Sequence, residues 1–223
     1  MSKVACIGAG LVGRAWAVVF ARAGYDVALY DALPDEVVSS AIPGARRTLL
    51  LLEEQGLLEE PVDAILARLH PAASIAEAVT DAIHVQESVR EDLETKRTVF
   101  TEIAASAPPE AILASSTSAI PGSEFLGHIA GPERALVVHP VNPPSLIPLV
   151  ELCGTQWTSQ ATMQTTRALM SAAGMRPITL NKEIEGFILN RLQFTLVAEA
   201  MHLVGEGYCT PEDIDAVLTD GLA

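Results

Sequence analysis

Three glycines at a fixed spacing near the amino terminus limit what this chain can fold into more than any other feature. Gly8, Gly10 and Gly13 directly follow an apolar run, residues 4–7, and open a stretch with helical periodicity. A second apolar run, residues 27–30, follows within the length of one strand–helix–strand unit. Glycine at these three positions permits a tight turn, a close approach to the backbone and close packing of helix on strand. The pattern therefore predicts that the chain begins with a βαβ unit.

The same glycine pattern predicts a binding site for a dinucleotide. The N-terminus of a helix offers unpaired N–H groups to a pyrophosphate, here from the helix that begins at Leu11 and Val12. Asp31 ends the second strand, where a carboxylate accepts from the 2′-hydroxyl of the adenosine ribose and repels the extra phosphate of NADP. No arginine follows Asp31 closely. We therefore predict an NAD site, and its residues are Gly8, Gly10, Leu11, Val12, Gly13 and Asp31.

Short apolar runs alternate with helical stretches along most of the remaining chain. Further strands are predicted at residues 82–86, 111–113, 135–139, 147–152 and 176–180. Helices are predicted at residues 34–55 and 61–69, as an excursion between early strands, and at residues 91–105 and 159–173. This alternation is typical of an α/β fold with a Rossmann-type, doubly wound, mostly parallel sheet.

The character of the sequence changes after Asn181. Apolar residues then recur at helical spacing to about Val204, and Thr210 with Pro211 opens another helix. We predict an NAD-binding domain over residues 1–181 and the start of a helical substrate and dimerisation domain over residues 182–223. Two helices cannot bury so much apolar surface alone, so we expect either a homodimer formed through these helices or an incomplete helical domain.

The charge balance disfavours two classes of partner. Lysine and arginine number 14 against 28 aspartates and glutamates, which gives a net charge of −14. Nucleic acids and anionic membranes require clustered basic side chains, whereas those of this chain are spread along its length. The longest apolar runs are also far shorter than the roughly 18 to 20 residues that cross a bilayer. We expect a small-molecule substrate and neither a nucleic acid nor a membrane as partner.

The cysteines indicate a reducing compartment. Cys6, Cys153 and Cys209 are odd in number and far apart, so they fit neither a disulfide framework nor the paired spacing of a zinc site. The N-terminus enters a strand pattern directly, without the apolar segment and cleavage site of a signal peptide. We expect a cytoplasmic protein without a metal.

His139 is the strongest candidate for catalysis among the five histidines. It ends a predicted strand on the side where open α/β sheets bind their ligands, and prolines at 140, 143 and 144 stiffen the turn that follows. Glu151 ends the next strand, from which it can reach the ring. Oxidation of an alcohol needs a base for the hydroxyl proton, and a carboxylate behind a histidine fixes its tautomer. By spacing alone, however, a histidine and a glutamate twelve residues apart are weak evidence.

Longer motifs carry a resemblance to a known family. Ala114-Ser-Ser-Thr-Ser118, His139-Pro-Val-Asn142-Pro-Pro, Leu149-Val-Glu151 and Gly186-Phe-Ile-Leu-Asn190-Arg191 resemble, in this order, the motifs of the 3-hydroxyacyl-CoA dehydrogenase superfamily. The stretch from Gly8 to Trp16, the motif at His139 and Asp220-Gly-Leu are most similar to the L-gulonate 3-dehydrogenase and lambda-crystallin branch.

The resemblance implies roles for individual residues. It makes His139 the base, Glu151 its orienting partner, and Ser118 and Asn190 the donors that hold the reacting oxygen. Read from their local sequence alone, Ser118 could equally cap a turn and Asn190 could lie on a helix surface. Three further residues are implied to lie near the nicotinamide, its ribose or the substrate, namely Glu87, Lys96 and Ser115.

The helical excursion disfavours coenzyme A as part of the substrate. Between Asp31 and His70 the chain has three arginines and seven carboxylates, a field that repels a polyanion. We therefore favour NAD-dependent oxidation of the 3-hydroxyl of a small hydroxy acid such as L-gulonate. Arg191 could receive its carboxylate or form an ion pair between domains. The alternatives are a short-chain 3-hydroxyacyl-CoA such as 3-hydroxybutyryl-CoA, a carnitine-type hydroxy acid, and a catalytically silent, crystallin-like protein that retains the NAD site.

Overall fold

The computed structural model describes residues 2–33, 35 and 37–222. Contacts between residues divide the chain into a first unit that ends at Glu185 and a second that begins at Gly186. This division falls four residues beyond the domain boundary predicted at residue 181.

The first unit is built on one eight-stranded sheet. In chain order the strands are β1 (Lys3–Ile7), β2 (Asp26–Tyr30), β3 (Leu69–Pro71), β4 (Ala82–Glu87), β5 (Ile112–Ser115), β6 (Ala135–Pro140), β7 (Leu149–Gly154) and β8 (Arg176–Leu180). Their spatial order is β3-β2-β1-β4-β5-β6-β7-β8. All neighbouring strands are parallel except β6 and β7, which pair antiparallel. The predicted Rossmann-type, mostly parallel sheet is confirmed.

Six α-helices of the first unit connect these strands within the described part of the chain. They are α1 (Leu11–Arg22), α2 (Ile42–Glu54), α3 (Val62–Leu66), α4 (Ile75–Val79), α5 (Leu93–Ser106) and α6 (Gln160–Ala172). A π-helical segment, Val37–Ala41, leads directly into α2.

Each face of the sheet has its own buried core, which is the arrangement that a doubly wound sheet requires. On one face Trp16 and Phe20 of α1 are fully buried with residues of α2 and α6, and their rings stack at 5.4 Å between centroids. On the other face Phe100 of α5 packs against Phe125, with ring centroids 5.4 Å apart. Both faces thus hold the strands of the sheet in a fixed position.

The structure corrects the sequence prediction around the third strand. Residues 61–69 were predicted as one helix, but α3 stops at Leu66 and residue 69 begins β3. This strand lies at the edge of the sheet, where Pro71 is tolerated because an edge strand need not donate from every residue. The short helix α4 had no counterpart in the prediction, and β7 begins two residues later than predicted. Two residues of the predicted helix 34–55, Pro34 and Glu36, lie outside the described part of the chain.

The second unit consists of helices. Helix α7 (Leu189–Gly205) is followed by α8 (Pro211–Ala216) and a π-helical turn, Val217–Leu222. Thr210 caps α8 through a reciprocal pair of hydrogen bonds with Asp213, as its sequence predicts. The large apolar side chains of α7 that are exposed include Leu192, Phe194, Leu196, Val197 and Met201. No helix in the described ranges is long and apolar enough to cross a membrane.

Candidate active site

The glycine loop between β1 and α1 has the geometry that a bound diphosphate requires. Gly8 has φ +97°, and a Cβ added there would lie 2.6 Å from the carbonyl oxygen of Ser88. A Cβ at Gly13 would lie 1.8 Å from the carbonyl oxygen of Gly8, so helix and loop pack without space for a side chain. A Cβ at Gly10 would meet nothing within 4 Å. The backbone is therefore open to a ligand at Gly10 and closely packed at the other two glycines.

The first turn of α1 is suited to receive negative charge. Gly10 caps the helix without a side-chain hydrogen bond, and no acidic residue lies in the first turn. The N–H groups of a first helical turn have no partner within the helix and can receive an anion. Leu11, which opens the helix, has 67% of its surface exposed. The residues present thus fit a dinucleotide whose diphosphate approaches the helix N-terminus.

Asp31 holds the glycine loop through its carboxylate. Oδ2 accepts a hydrogen bond of 2.7 Å from the N–H of Ala9, and Oδ1 accepts one of 3.1 Å from the N–H of Leu33. Each carboxylate oxygen can accept a further hydrogen bond, so the side chain can hold the loop and still receive a ribose hydroxyl. The sequence predicts the second of these roles, and the structure adds the first.

His139 and Glu151 face each other as a buried pair. Antiparallel pairing of β6 with β7 places these two residues directly opposite each other, and His139 Nδ1 lies 2.8 Å from Glu151 Oε2. His139 has 3% of its surface exposed, and Glu151 has 0%. Because a carboxylate only accepts, Nδ1 is the nitrogen that carries the hydrogen, and Nε2 is the ring atom that can accept one. The pairing suspected from a twelve-residue spacing is therefore a direct contact.

Glu87, Lys96 and Ser115 form a buried cluster at the carboxyl ends of β4 and β5. Lys96 Nζ lies 3.0 Å from Glu87 Oε1 and 3.2 Å from Oε2, while the Ser115 hydroxyl donates to Glu87 Oε2. Burial raises the pKa of Glu87, and the ammonium of Lys96 opposes that rise. The structure thus brings together three residues that the resemblance placed near the cofactor, and they contact one another.

Glu91 is a site residue that sequence reasoning missed. Its Oε1 accepts from the Thr117 hydroxyl at 2.6 Å and from the N–H groups of Ser118 at 2.8 Å and Ala119 at 3.1 Å. Burial raises the pKa of Glu91, but these hydrogen bonds and the ammonium of Lys96 lower it by more. The net effect is a pKa below the usual range of a glutamate. The carboxylate therefore fixes the backbone at Ser118. Helix-start patterns gave no signal for this role, because the neighbouring Asp92 supplies the cap of α5.

Ser118 and Asn190 belong to different units. Ser118 lies in the turn after β5, and β5 is the parallel neighbour of the strand that ends with His139 and Pro140. Asn190 is the second residue of α7 in the second unit. The first unit by itself therefore places the histidine, its glutamate and the loop of Ser118 on three neighbouring strands, β6, β7 and β5.

Hydride transfer is the reaction that nicotinamide dinucleotides support. A glycine loop that fits NAD, together with a buried histidine and carboxylate in two other strands of the same sheet, defines an NAD-dependent dehydrogenase. The chain belongs to the 3-hydroxyacyl-CoA dehydrogenase family. The model of the family's NAD binding domain matches residues 3–184, and that of its C-terminal domain matches residues 186–223.

Curated relatives extend the similarity. A lambda-crystallin homolog from Bos taurus is 43% identical over 98% of this chain and 68% of its own length. An L-carnitine dehydrogenase from Streptomyces griseus is 40% identical over 98% of this chain and 64% of its own length. The resemblance to the family and to lambda-crystallins is therefore confirmed.

Solved structures share the fold. M. tuberculosis FadB2 is 29% identical with a TM-score of 0.91, and the match covers 100% of this chain and 78% of that one. The 3-hydroxybutyryl-CoA dehydrogenase of Escherichia coli K12 is 32% identical with a TM-score of 0.89, and the match covers 99% of this chain and 46% of that one. Both similarities span the two units.

Proposed function

We propose that this chain oxidises the 3-hydroxyl of a small hydroxy acid of the L-gulonate type, with His139 as general base and Glu151 as its orienting partner. The observation that carries this proposal is the buried contact of 2.8 Å between His139 Nδ1 and Glu151 Oε2. Bound NAD supplies the hydride acceptor.

The base acts through Nε2. Because Glu151 accepts the hydrogen on Nδ1, Nε2 is the ring nitrogen that can take the proton of the substrate hydroxyl. When that proton is taken up, the ring becomes an imidazolium next to a buried carboxylate, which stabilises the charge. Glu151 thus sets the tautomer before proton transfer and lowers the energy of the charged ring after it.

Two further donors complete the proposed site. Ser118 and Asn190 hydrogen-bond the reacting oxygen, which gains charge as its proton leaves. The backbone of Ser118 is held by Glu91, so its loop is ordered before substrate arrives. Asp31 binds the adenosine ribose, and Glu87, Lys96 and Ser115 support the nicotinamide side of the cofactor site.

Charge in the helical excursion supports a free acid over a coenzyme A ester. Arg46 pairs with Asp63, and Arg68 pairs with Glu60, with 2.9 Å between Nη1 and Oε1. Within the described part of the excursion only Arg47 has no carboxylate partner. Since coenzyme A is a polyanion, this surface offers it little attraction.

Two alternatives have specific support. The L-carnitine dehydrogenase relatives, about as similar to this chain as several of the lambda-crystallins, favour a carnitine-type hydroxy acid. The similarity to E. coli 3-hydroxybutyryl-CoA dehydrogenase favours a short acyl-CoA ester. A silent crystallin-like protein is disfavoured by the retained His139–Glu151 contact.

The test compares substrates and a variant of the base. We expect NADH formation with L-gulonate, and His139→Asn should slow it by about 10² to 10⁴ fold, the range of general-base catalysis. His128→Asn is the matched control, because His128 is exposed and its Nε2 hydrogen-bonds Thr101 and the carbonyl oxygen of Arg97, both on α5. If the protein oxidises only L-carnitine, or only 3-hydroxybutyryl-CoA, the class of that compound replaces L-gulonate as the proposed substrate. Equal rates for His139→Asn and the unaltered protein would refute the catalytic assignment.

We also propose that residues 182–223 belong to a substrate and dimerisation domain, and that the protein is a homodimer through it. The exposed apolar side chains of α7 support this arrangement, since large uncovered apolar patches mark interfaces. The three free cysteines are consistent with a role in the cytoplasm, which cell fractionation would test.

A further inference from the structure

A buried chain of polar side chains lies directly behind the glycine loop. His84 Nε2 lies 3.0 Å from Gln86 Oε1, and Gln86 Nε2 lies 2.8 Å from Ser116 Oγ. Trp16 Nε1 also donates to Ser116 Oγ, at 3.1 Å, and Ser116 Oγ lies 2.9 Å from Ser88 Oγ. These residues come from α1, β4 and the segments after β4 and β5, and the proposed reaction uses none of them.

The direction of each hydrogen bond follows from counting donors. Trp16 can only donate, and the nitrogen of Gln86 faces the carbonyl oxygen of Val138 at 3.5 Å, which can only accept. The two lone pairs of Ser116 Oγ are thus occupied by two donors. Its own hydrogen must then go to Ser88 Oγ. The hydrogen of the Ser88 hydroxyl consequently points to an acceptor other than Ser116.

His84 fixes the far end of this chain. Burial lowers its pKa to about 4, so the ring is neutral, and Nδ1 has no partner among the described residues. Nε2 must therefore carry the hydrogen that Gln86 Oε1 accepts. The amide of Gln86 is held with its nitrogen towards Ser116, so the successive hydrogen bonds from His84 to Gln86, from Gln86 to Ser116 and from Ser116 to Ser88 all run in one direction.

Ser88 lies at the point of the sheet where dinucleotides bind. It follows β4, which neighbours β1, and the strand order reverses between these two strands. A Cβ added at Gly13 would lie 3.4 Å from Ser88 Cβ, so the side chain lies against the first turn of α1. Asp31 follows β2, which pairs with β1 on the side opposite β4. The adenosine half of NAD therefore lies on the side of Asp31, and the nicotinamide half lies on the side of Ser88.

We propose that Ser88 is a further NAD-binding residue, whose hydroxyl donates to an oxygen of the phosphate or ribose in the nicotinamide half. Gln86 and Ser116 act through it as positioning residues. Within the described residues the Ser88 hydroxyl has Ser116 as its one side-chain partner. A hydroxyl oriented before binding loses less conformational freedom when the cofactor arrives.

The experiment measures NADH and AMP affinity by fluorescence and calorimetric titration. Ser88→Ala should weaken NADH binding about ten-fold, the effect of losing one hydrogen bond, and leave AMP binding unchanged. Ser106→Ala at the far end of α5 is the matched control, since it also removes a half-buried hydroxyl. Unchanged NADH affinity would overturn the proposal, as would an equal loss of AMP affinity, which indicates a displaced glycine loop. If Ser88→Ala fails to fold, Ser88→Cys keeps the size with a weaker donor and carries the same expectations.

A double-mutant cycle tests the relay. Ser116→Ala frees the Ser88 hydroxyl to rotate and should weaken NADH binding about three-fold, while the double variant should bind no more weakly than Ser88→Ala. Fully additive losses would show that Ser116 does not act through Ser88.

Discussion

Asp31 shows how one side chain serves both the protein and its ligand. Its two oxygens accept from the N–H groups of Ala9 and Leu33, so the carboxylate fixes the glycine loop from within. A carboxylate at this point also selects a cofactor with a free 2′-hydroxyl. Loop geometry and cofactor choice are therefore coupled through a single residue.

Substitution of Asp31 should change both the affinity for the cofactor and the choice of cofactor. Asp31→Asn replaces one acceptor oxygen by a donor and removes the negative charge, so NADH affinity should fall about ten-fold while the preference for NADH over NADPH narrows. Titration of both cofactors measures the two effects. Asp26→Asn, at the opposite end of β2, is the control and should change neither. An unchanged preference for NADH over NADPH would show that Asp31 does not contact the 2′-hydroxyl of the ribose.

His84 should make the stability of the fold sensitive to acid. Its folded pKa, about 4, lies below the 6.5 of an unperturbed histidine, so between these two pH values the unfolded chain binds more protons and stability falls as pH falls. From pH 7 to pH 5 the loss should be about 2 kcal/mol. Urea unfolding at both pH values should show that His84→Leu loses about 2 kcal/mol less of its unfolding free energy than the unaltered chain does. His128→Leu should behave like the unaltered chain, and an equal pH dependence in His84→Leu would contradict the prediction.

At the scale of elements, β1, the glycine loop and α1 combine packing and binding in one turn. Gly13 allows the helix to approach the loop, whereas Gly10 faces open space with a φ of −64° that any residue adopts. The two glycines therefore have separable effects, one on packing and one on the access of the ligand.

This separation is testable by two substitutions of the same size. Gly13→Ala places a Cβ 1.8 Å from the Gly8 carbonyl oxygen, so it should cost about 1 to 3 kcal/mol or more and lower the melting temperature by several degrees. Gly10→Ala should leave the melting temperature nearly unchanged and still weaken NADH binding. Thermal unfolding and NADH titration measure both. If Gly10→Ala bound NADH normally, close approach of the cofactor at Gly10 would be excluded.

Element types were readable from the sequence wherever periodicity was long. The βαβ unit at the start and α5 and α6 lie within two residues of their predicted bounds. Strand β3 and helix α4 escaped prediction because three and five residues carry too little periodic signal. Both depend on tertiary packing along the edge strand and the second face of the sheet.

At the scale of the whole molecule, the first unit has a buried core on each face of its sheet, and the second does not cover its own apolar side chains. Phe194 and Met201 of α7 have 70% and 71% of their surface exposed. Apolar exposure of this kind on one helix marks a surface that another subunit or segment covers.

The proposed homodimer gives the last prediction. Phe194→Ser should convert a dimer to monomers or weaken it at least ten-fold, because large buried aromatic side chains dominate interface energies. Light scattering after size exclusion measures the mass over a dilution series. Leu50→Ser, an exposed leucine of α2 in the first unit, is the control. A monomeric unaltered protein, or a dimer insensitive to Phe194→Ser, would refute the interface.

The sequence by itself determined the βαβ unit, the NAD site and the candidates His139 and Glu151, because glycine spacing and strand ends are local properties of the chain. Only the tertiary structure decided which side chains meet. The contact of His139 with Glu151 depends on the register of β6 with β7, and that of Ser88 with Ser116 on the pairing of β4 with β5. Register between strands comes from packing of the whole sheet, which local patterns do not contain.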